Sequence, residues 1–129
     1  MKRSFIKRTP NKKRKLAIQA DKLWKELILS RNPYCEVCGE PSFQAHHFYF
    51  KGSYPLLKYE ISNGIGLCLK HHSLLHFRDA KAVEEIIIEK RGKIWAEKLK
   101  EKSKREFVSR QTIGYYENRI GELKRKNLL

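Results

Sequence analysis

The sequence predicts an α+β fold: a small core in the order strand, strand, helix, flanked by helices and held together by metal. Three observations predict it. All three cysteines and all five histidines fall in one tract, Cys35-x2-Cys38, His46-His47, then Cys68-x2-His71-His72-x3-His76. Within that tract the apolar runs are short and bounded by turn residues, as strands are. On both sides of it, apolar residues recur with helical spacing. At 129 residues the chain is one domain plus extensions, with a modest core of the kind that metal binding often stabilises.

The elements follow in order. Residues 1–15 read as a disordered basic arm, because Lys2, Arg3, Lys7, Arg8, Lys12, Lys13, Arg14 and Lys15 surround Pro10 with little apolar content. Residues 16–33 read as an N-terminal helix. Ala20, Leu23, Trp24, Leu27 and Ile28 make its apolar face, and Asn32-Pro33 ends it, since the residue before proline avoids the α region. Trp24 is expected in the core. Residues 34–78 are the metal core. Residues 43–50 are rich in aromatics and read as a strand, Lys51-Gly52-Ser53 as a turn, residues 54–61 as a wandering loop with Pro55 inside, Ser62-Asn63-Gly64 as a second turn, and Ile65-Gly66-Leu67 as a second strand. A helix over about 70–78 then carries the last three histidines. Residues 79–129 are a basic helical extension. Asp79 is a good N-cap for a helix through residue 90, broken at Arg91-Gly92. Residues 93–105 are basic and carry Ile94, Trp95 and Leu99. The segment 107–126 reads as a last helix with Ile113, Tyr116, Ile120 and Leu123 on one face.

The charge points to a partner. Lysine and arginine number 29 against 14 acidic residues, a net charge of +15, which favours phosphate polyanions through counterion release. Residues 1–34 carry net +9, residues 35–78 net +1 and residues 79–129 net +5. A nearly neutral core between basic flanks fits a centre carried on arms that grip nucleic acid. Lys12, Lys13, Arg14, Lys15 and Lys51 are the candidate backbone contacts. The expected partner is DNA, and no membrane contact is expected, since no run of 18 apolar residues occurs. The odd cysteine count and the Cys-x2-Cys spacing point to reduced thiols that bind zinc, hence to a cytoplasmic protein. Oligomeric state stays open: the last helix could pair with a second copy or fold back on its own chain.

The donors divide into two sets. Cys35, Cys38, Cys68 and His71 are four soft ligands in two knuckles, which suits a tetrahedral structural zinc. His46, His72 and His76 remain for a second ion. His72 and His76 are four residues apart and share a helix face, and three protein ligands leave positions open for water and a phosphate oxygen. Mg, Mn, Ni and Zn all suit such a set.

This joint spacing resembles the HNH endonucleases, the ββα-metal or His-Me finger nucleases, in their zinc-knuckle form. The resemblance covers residues 35–76. It implies a ββα-metal core and metal-dependent hydrolysis of phosphodiester bonds in DNA, leaving 5′-phosphate and 3′-hydroxyl ends. It implies His47 as the general base that activates water, and Asn63 as the residue that bonds the backbone of the His-His segment and orients that base. A free-standing basic protein of this layout is similar to those carried by phages and other mobile elements. The family more usually has cysteine at the position of His71, and many members have aspartate at the position of His46. Adjacent strand residues normally face opposite ways, so an exchange of roles between His46 and His47 stays open. So does an alternative from another class, a zinc-stabilised nucleic-acid-binding module without catalysis.

Overall fold

Two short antiparallel strands lie between a long N-terminal helix on one side and a pair of helices on the other. The structure, a computed structural model, describes residues 11–51, 53–104 and 111–128. The elements are α1 (Lys12–Arg31), β1 (Gln44–His47), β2 (Gly64–Leu67), α2 (Leu69–Phe77), α3 (Ala80–Arg91), α4 (Lys93–Ser103) and α5 (Ile113–Asn127), with 3-10 turns at Pro55–Leu57 and Ile61–Asn63. The fold class is α+β, as expected.

Helix α1 begins earlier than its apolar face suggests. Asn11 caps it, its Oδ1 accepting from the Arg14 N–H at 2.8 Å, and lysine and arginine are good helix formers. Lys12, Lys13, Arg14 and Lys15 are therefore the first turn of a helix, which corrects the expected arm. Residues 1–10 of that arm lie outside the described residues. The helix buries Ala20, Trp24, Leu27 and Ile28 against Ala45, Tyr59, Tyr116, Ile120 and Leu123. The last helix thus covers α1 of its own chain, which answers the question left open for its apolar face. Ile113, the first residue of that face, stays 39% exposed.

Strand β1 is shorter than the aromatic run predicts. It pairs with β2 only from Gln44↔Leu67 to His47↔Gly64. Beyond it the chain bends, because Asn63 ties the backbone at Tyr49. Strand β2 is buried along its whole length. Its glycines let α1 approach: a Cβ at Gly66 would lie 2.5 Å from the Asn32 carbonyl oxygen, and one at Gly64 would collide with the Ile28 side chain.

A second core of Cys35, Ile65, Leu67, Leu75, Val83 and Ile87 joins the strands to α2 and α3. Asp79 caps α3 as expected, accepting from the Ala82 N–H at 3.1 Å. The basic segment after Gly92 is a helix in its own right, α4, which buries Leu99. Arg91 does more than end α3. Its guanidinium forks onto the Glu36 carboxylate and also donates to the carbonyls of Gly64 at 2.7 Å and Ser62 at 3.2 Å. It thereby ties the cysteine turn to β2. Among the described residues no helix is long and apolar enough to cross a membrane.

Candidate metal centres and the cleft

The first donor set is assembled from two turns. After α1 the chain folds back, Tyr34 bridging to Pro41. Gly39 takes φ 79°, and its N–H donates to the Cys35 carbonyl at 2.9 Å, a left-handed position that favours glycine. This brings Cys35 and Cys38 together. Cys68 is the N-cap of α2 and His71 lies in its first turn. The donor atoms of Cys35, Cys38, Cys68 and His71 all lie within 4.8 Å of one another. Cys38 Sγ and Cys68 Sγ are 3.7 Å apart, and His71 Nδ1 is 3.2 Å from Cys68 Sγ and 3.7 Å from Cys35 Sγ. Thiolates about 2.3 Å from a tetrahedral zinc are about 3.8 Å from each other, so the spacing fits such an ion and is far too long for a disulfide. Burial raises the Cys35 thiol, but backbone N–H groups at Cys68, Cys38 and Val37 outweigh it and lower it overall, toward the thiolate that zinc requires. These four residues could hold a metal such as zinc.

The second set lies on the other side of α2. His71 and His72 are neighbours, and about 100° of helical rotation sends their rings to different sites. His46, His72 and His76 bring one ring nitrogen each within 4.8 Å of the others, with His72 Nε2 and His76 Nε2 3.1 Å apart. His46 is buried, and its Nε2 has no hydrogen-bond partner among the described residues. A buried nitrogen without a partner is costly, and a cation among the three rings would remove that cost. His46 is held at about 3 by burial and by the neighbouring His76, His72 and His47 rings. His72 is lowered by burial and then by His76. Both rings are therefore neutral at physiological pH, the form that ligates metal.

His46 and His47 open onto one cleft of about 290 Å³, lined also by Lys25, Gln44, Phe50, Lys51, His72 and His76. This is possible because β1 ends at His47 and the chain bends at once. His47 stands outside the three-nitrogen set. Its Nε2 lies 2.8 Å from the Lys58 carbonyl oxygen, which accepts only, so Nε2 carries the hydrogen and Nδ1 keeps the lone pair. Burial lowers its pKa, and the Lys58 carbonyl acts in the opposite sense.

Asn63 is fully buried and uses both ends of its amide. Its Oδ1 accepts from the Tyr49 N–H at 2.7 Å, and its Nδ2 donates to the carbonyls of Tyr49 at 3.0 Å and Leu57 at 3.1 Å. The expectation from sequence is that this amide bonds the His-His segment itself; it bonds Tyr49 and Leu57 instead, which corrects that expectation. It closes the loop two residues further on and holds the residue before Lys58, so its effect on His47 is indirect. Lys51, a candidate phosphate contact from sequence, lines the cleft. Lys25 lines it too and was not singled out in sequence, because one lysine on an exposed helix face carries no signal. Comparisons with protein-family models, curated proteins and solved structures return no match to this chain.

Proposed function

We propose that this protein is a metal-dependent endonuclease of the HNH type, with a ββα-metal core and a structural zinc, that hydrolyses phosphodiester bonds in DNA. One observation carries the reading: a closed four-donor set and an open three-histidine set share α2, and a further histidine with one committed nitrogen lines the open cleft. A closed set suits structure and an open one suits catalysis.

His46, His72 and His76 would hold the catalytic divalent ion. Bound there, it supplies Lewis-acid stabilisation of charge on the phosphate and on the departing oxygen. His47 takes the proton of the attacking water at Nδ1, since Nε2 is already engaged with Lys58. Asn63 keeps the bend after β1 and the turn before Lys58 in fixed relation. Lys25 and Lys51 contact phosphate at the cleft, and Lys12, Lys13, Arg14 and Lys15 extend the basic surface along α1. Cysteine ligands for zinc and DNA as substrate fit a protein of a reducing compartment, the cytoplasm of a bacterial cell or of a phage-infected host.

Plasmid cleavage tests the reading, with EDTA and with Mg²⁺ or Mn²⁺ restored, for wild type and His47→Ala. The variant is expected to keep its zinc and its DNA affinity and to lose about 10²–10⁴-fold in rate, the usual contribution of a general base. Cleavage that survives EDTA would falsify the mechanism. Binding without cleavage by wild type under every metal would establish a zinc-stabilised binding module instead.

A further inference from the structure

Helix α1 lies outside the cysteine–histidine tract, yet through the buried Trp24 it packs against His47, a residue of the cleft. The Trp24 and His47 rings are parallel, with centroids 3.9 Å apart and an interplanar angle of 4°. Both rings donate to the same short segment: His47 Nε2 to the Lys58 carbonyl at 2.8 Å and Trp24 Nε1 to the Glu60 carbonyl at 3.1 Å.

That segment is itself tied down. Asp21, one turn before Trp24 on α1, accepts from the Tyr59 hydroxyl at 2.8 Å and lies 3.7 Å from the Lys58 ammonium. Asn63 holds the Leu57 carbonyl, and the Lys102 ammonium bonds the Glu60 carboxylate at 2.9 Å. The acceptor that His47 meets is therefore fixed in space by α1, by α4 and by the turn before β2.

The last torsion of a histidine side chain is soft and broadly two-fold. A single hydrogen bond at a strand end would leave the ring free to tilt or to turn over, exchanging the roles of its nitrogens. A flat indole at van der Waals distance prevents the tilt, because any rotation out of plane drives the imidazole edge into it. Stack and hydrogen bond thus constrain different motions of the same ring.

We infer that Trp24 is a positioning residue for His47: its indole face holds the imidazole plane so that Nε2 stays on the Lys58 carbonyl and Nδ1 alone accepts a proton. The kinetic consequence rests on the nuclease reading, whereas the tautomer does not.

The test uses the full-length, zinc-loaded chain. Long-range ¹H–¹⁵N NMR reads the tautomer of neutral His47 in wild type, Trp24→Phe and Trp24→Leu, and plasmid cleavage gives kcat and KM for each. Zinc content and circular dichroism establish that each variant folds. Wild type is expected to show the Nε2–H tautomer. Trp24→Phe keeps a ring face and is expected to retain that tautomer with kcat within a few-fold of wild type. Trp24→Leu is expected to mix tautomers and to lose kcat on the order of 10²-fold, the scale of a misplaced catalytic group, with KM unchanged.

An Nδ1–H tautomer in wild type overturns the inference. So does a folded Trp24→Leu with one tautomer and unchanged kcat. If Trp24→Leu does not fold, wild type and Trp24→Phe decide: a Trp24→Phe variant with mixed tautomers removes the role of the ring face. A wild type that never cuts DNA, yet loses its single tautomer only in Trp24→Leu, sinks the nuclease reading and leaves the positioning role standing.

Discussion

The two donor sets sit side by side on α2 but are built differently. The knuckle joins two local pairs, each brought together by one turn, and three of its four donors are cysteine sulfurs. The cleft takes two histidines from one helix and the third from a strand 26 residues earlier than His72 in sequence. Its geometry therefore depends on the register of β1 against β2 and on how α2 docks beneath them. A site made from local turns can organise a chain around a metal. A site made from distant elements needs the fold first and then has positions to spare for substrate.

This difference is sharpest between two residues four apart at the start of α2. Cys68→Ala removes a knuckle ligand, and structural zinc contributes about 10–16 kcal/mol of apparent folding free energy in small domains, comparable to or above the whole stability of a domain. We expect loss of zinc and of cooperative unfolding, seen by metal analysis and circular dichroism. His72→Ala, four residues on, is expected to keep zinc in the knuckle and an unchanged far-UV spectrum while abolishing cleavage. Cys68→Ala with an intact thermal transition would break the comparison.

Asn63→Ala probes the boundary between the two regions. It leaves the Tyr49 N–H without its acceptor and the Tyr49 and Leu57 carbonyls without their donor, all around a fully buried side chain. An expected loss of about 3 kcal/mol follows from exposing such groups to no partner, measurable by urea denaturation of the zinc-loaded protein. The zinc content should not change, because none of these groups belongs to the knuckle.

The smallest effect belongs to Lys25. Lys25→Ala should leave stability, zinc content and kcat as they are, weaken DNA binding uniformly across sequences, and reduce the slope of log K against log salt by about 1. An unchanged slope would remove Lys25 from the substrate path.

Much of this was legible in the sequence where the information is local. Cys-x2-Cys and Cys-x2-His need only one turn each, so their pairing follows from spacing. His72 and His76 share a helix face by periodicity alone, and Asp79 caps α3 as its type and position imply. Where the reading failed, a competing local signal was hidden in context. The lysines after Asn11 looked like a disordered arm because they carry no apolar face, yet the Asn11 cap starts the helix among them. The aromatic run after His47 looked like strand because aromatics favour strands, yet Asn63 bends it.

The sequence by itself determined the donor inventory, the two knuckle pairs, the helix faces and the α+β class, because each depends on residues within a turn or two of one another. Only the tertiary structure decided that His46 and His47 open onto one cleft, that Asn63 acts through Tyr49 and Leu57, that Arg91 ties the cysteine turn to β2, and that Trp24 lies flat on His47. Trp24 and Glu60 are 36 residues apart and Arg91 and Glu36 are 55 apart. No periodicity connects residues at such separations, and their meeting follows from packing α1, α3 and the strands around shared cores.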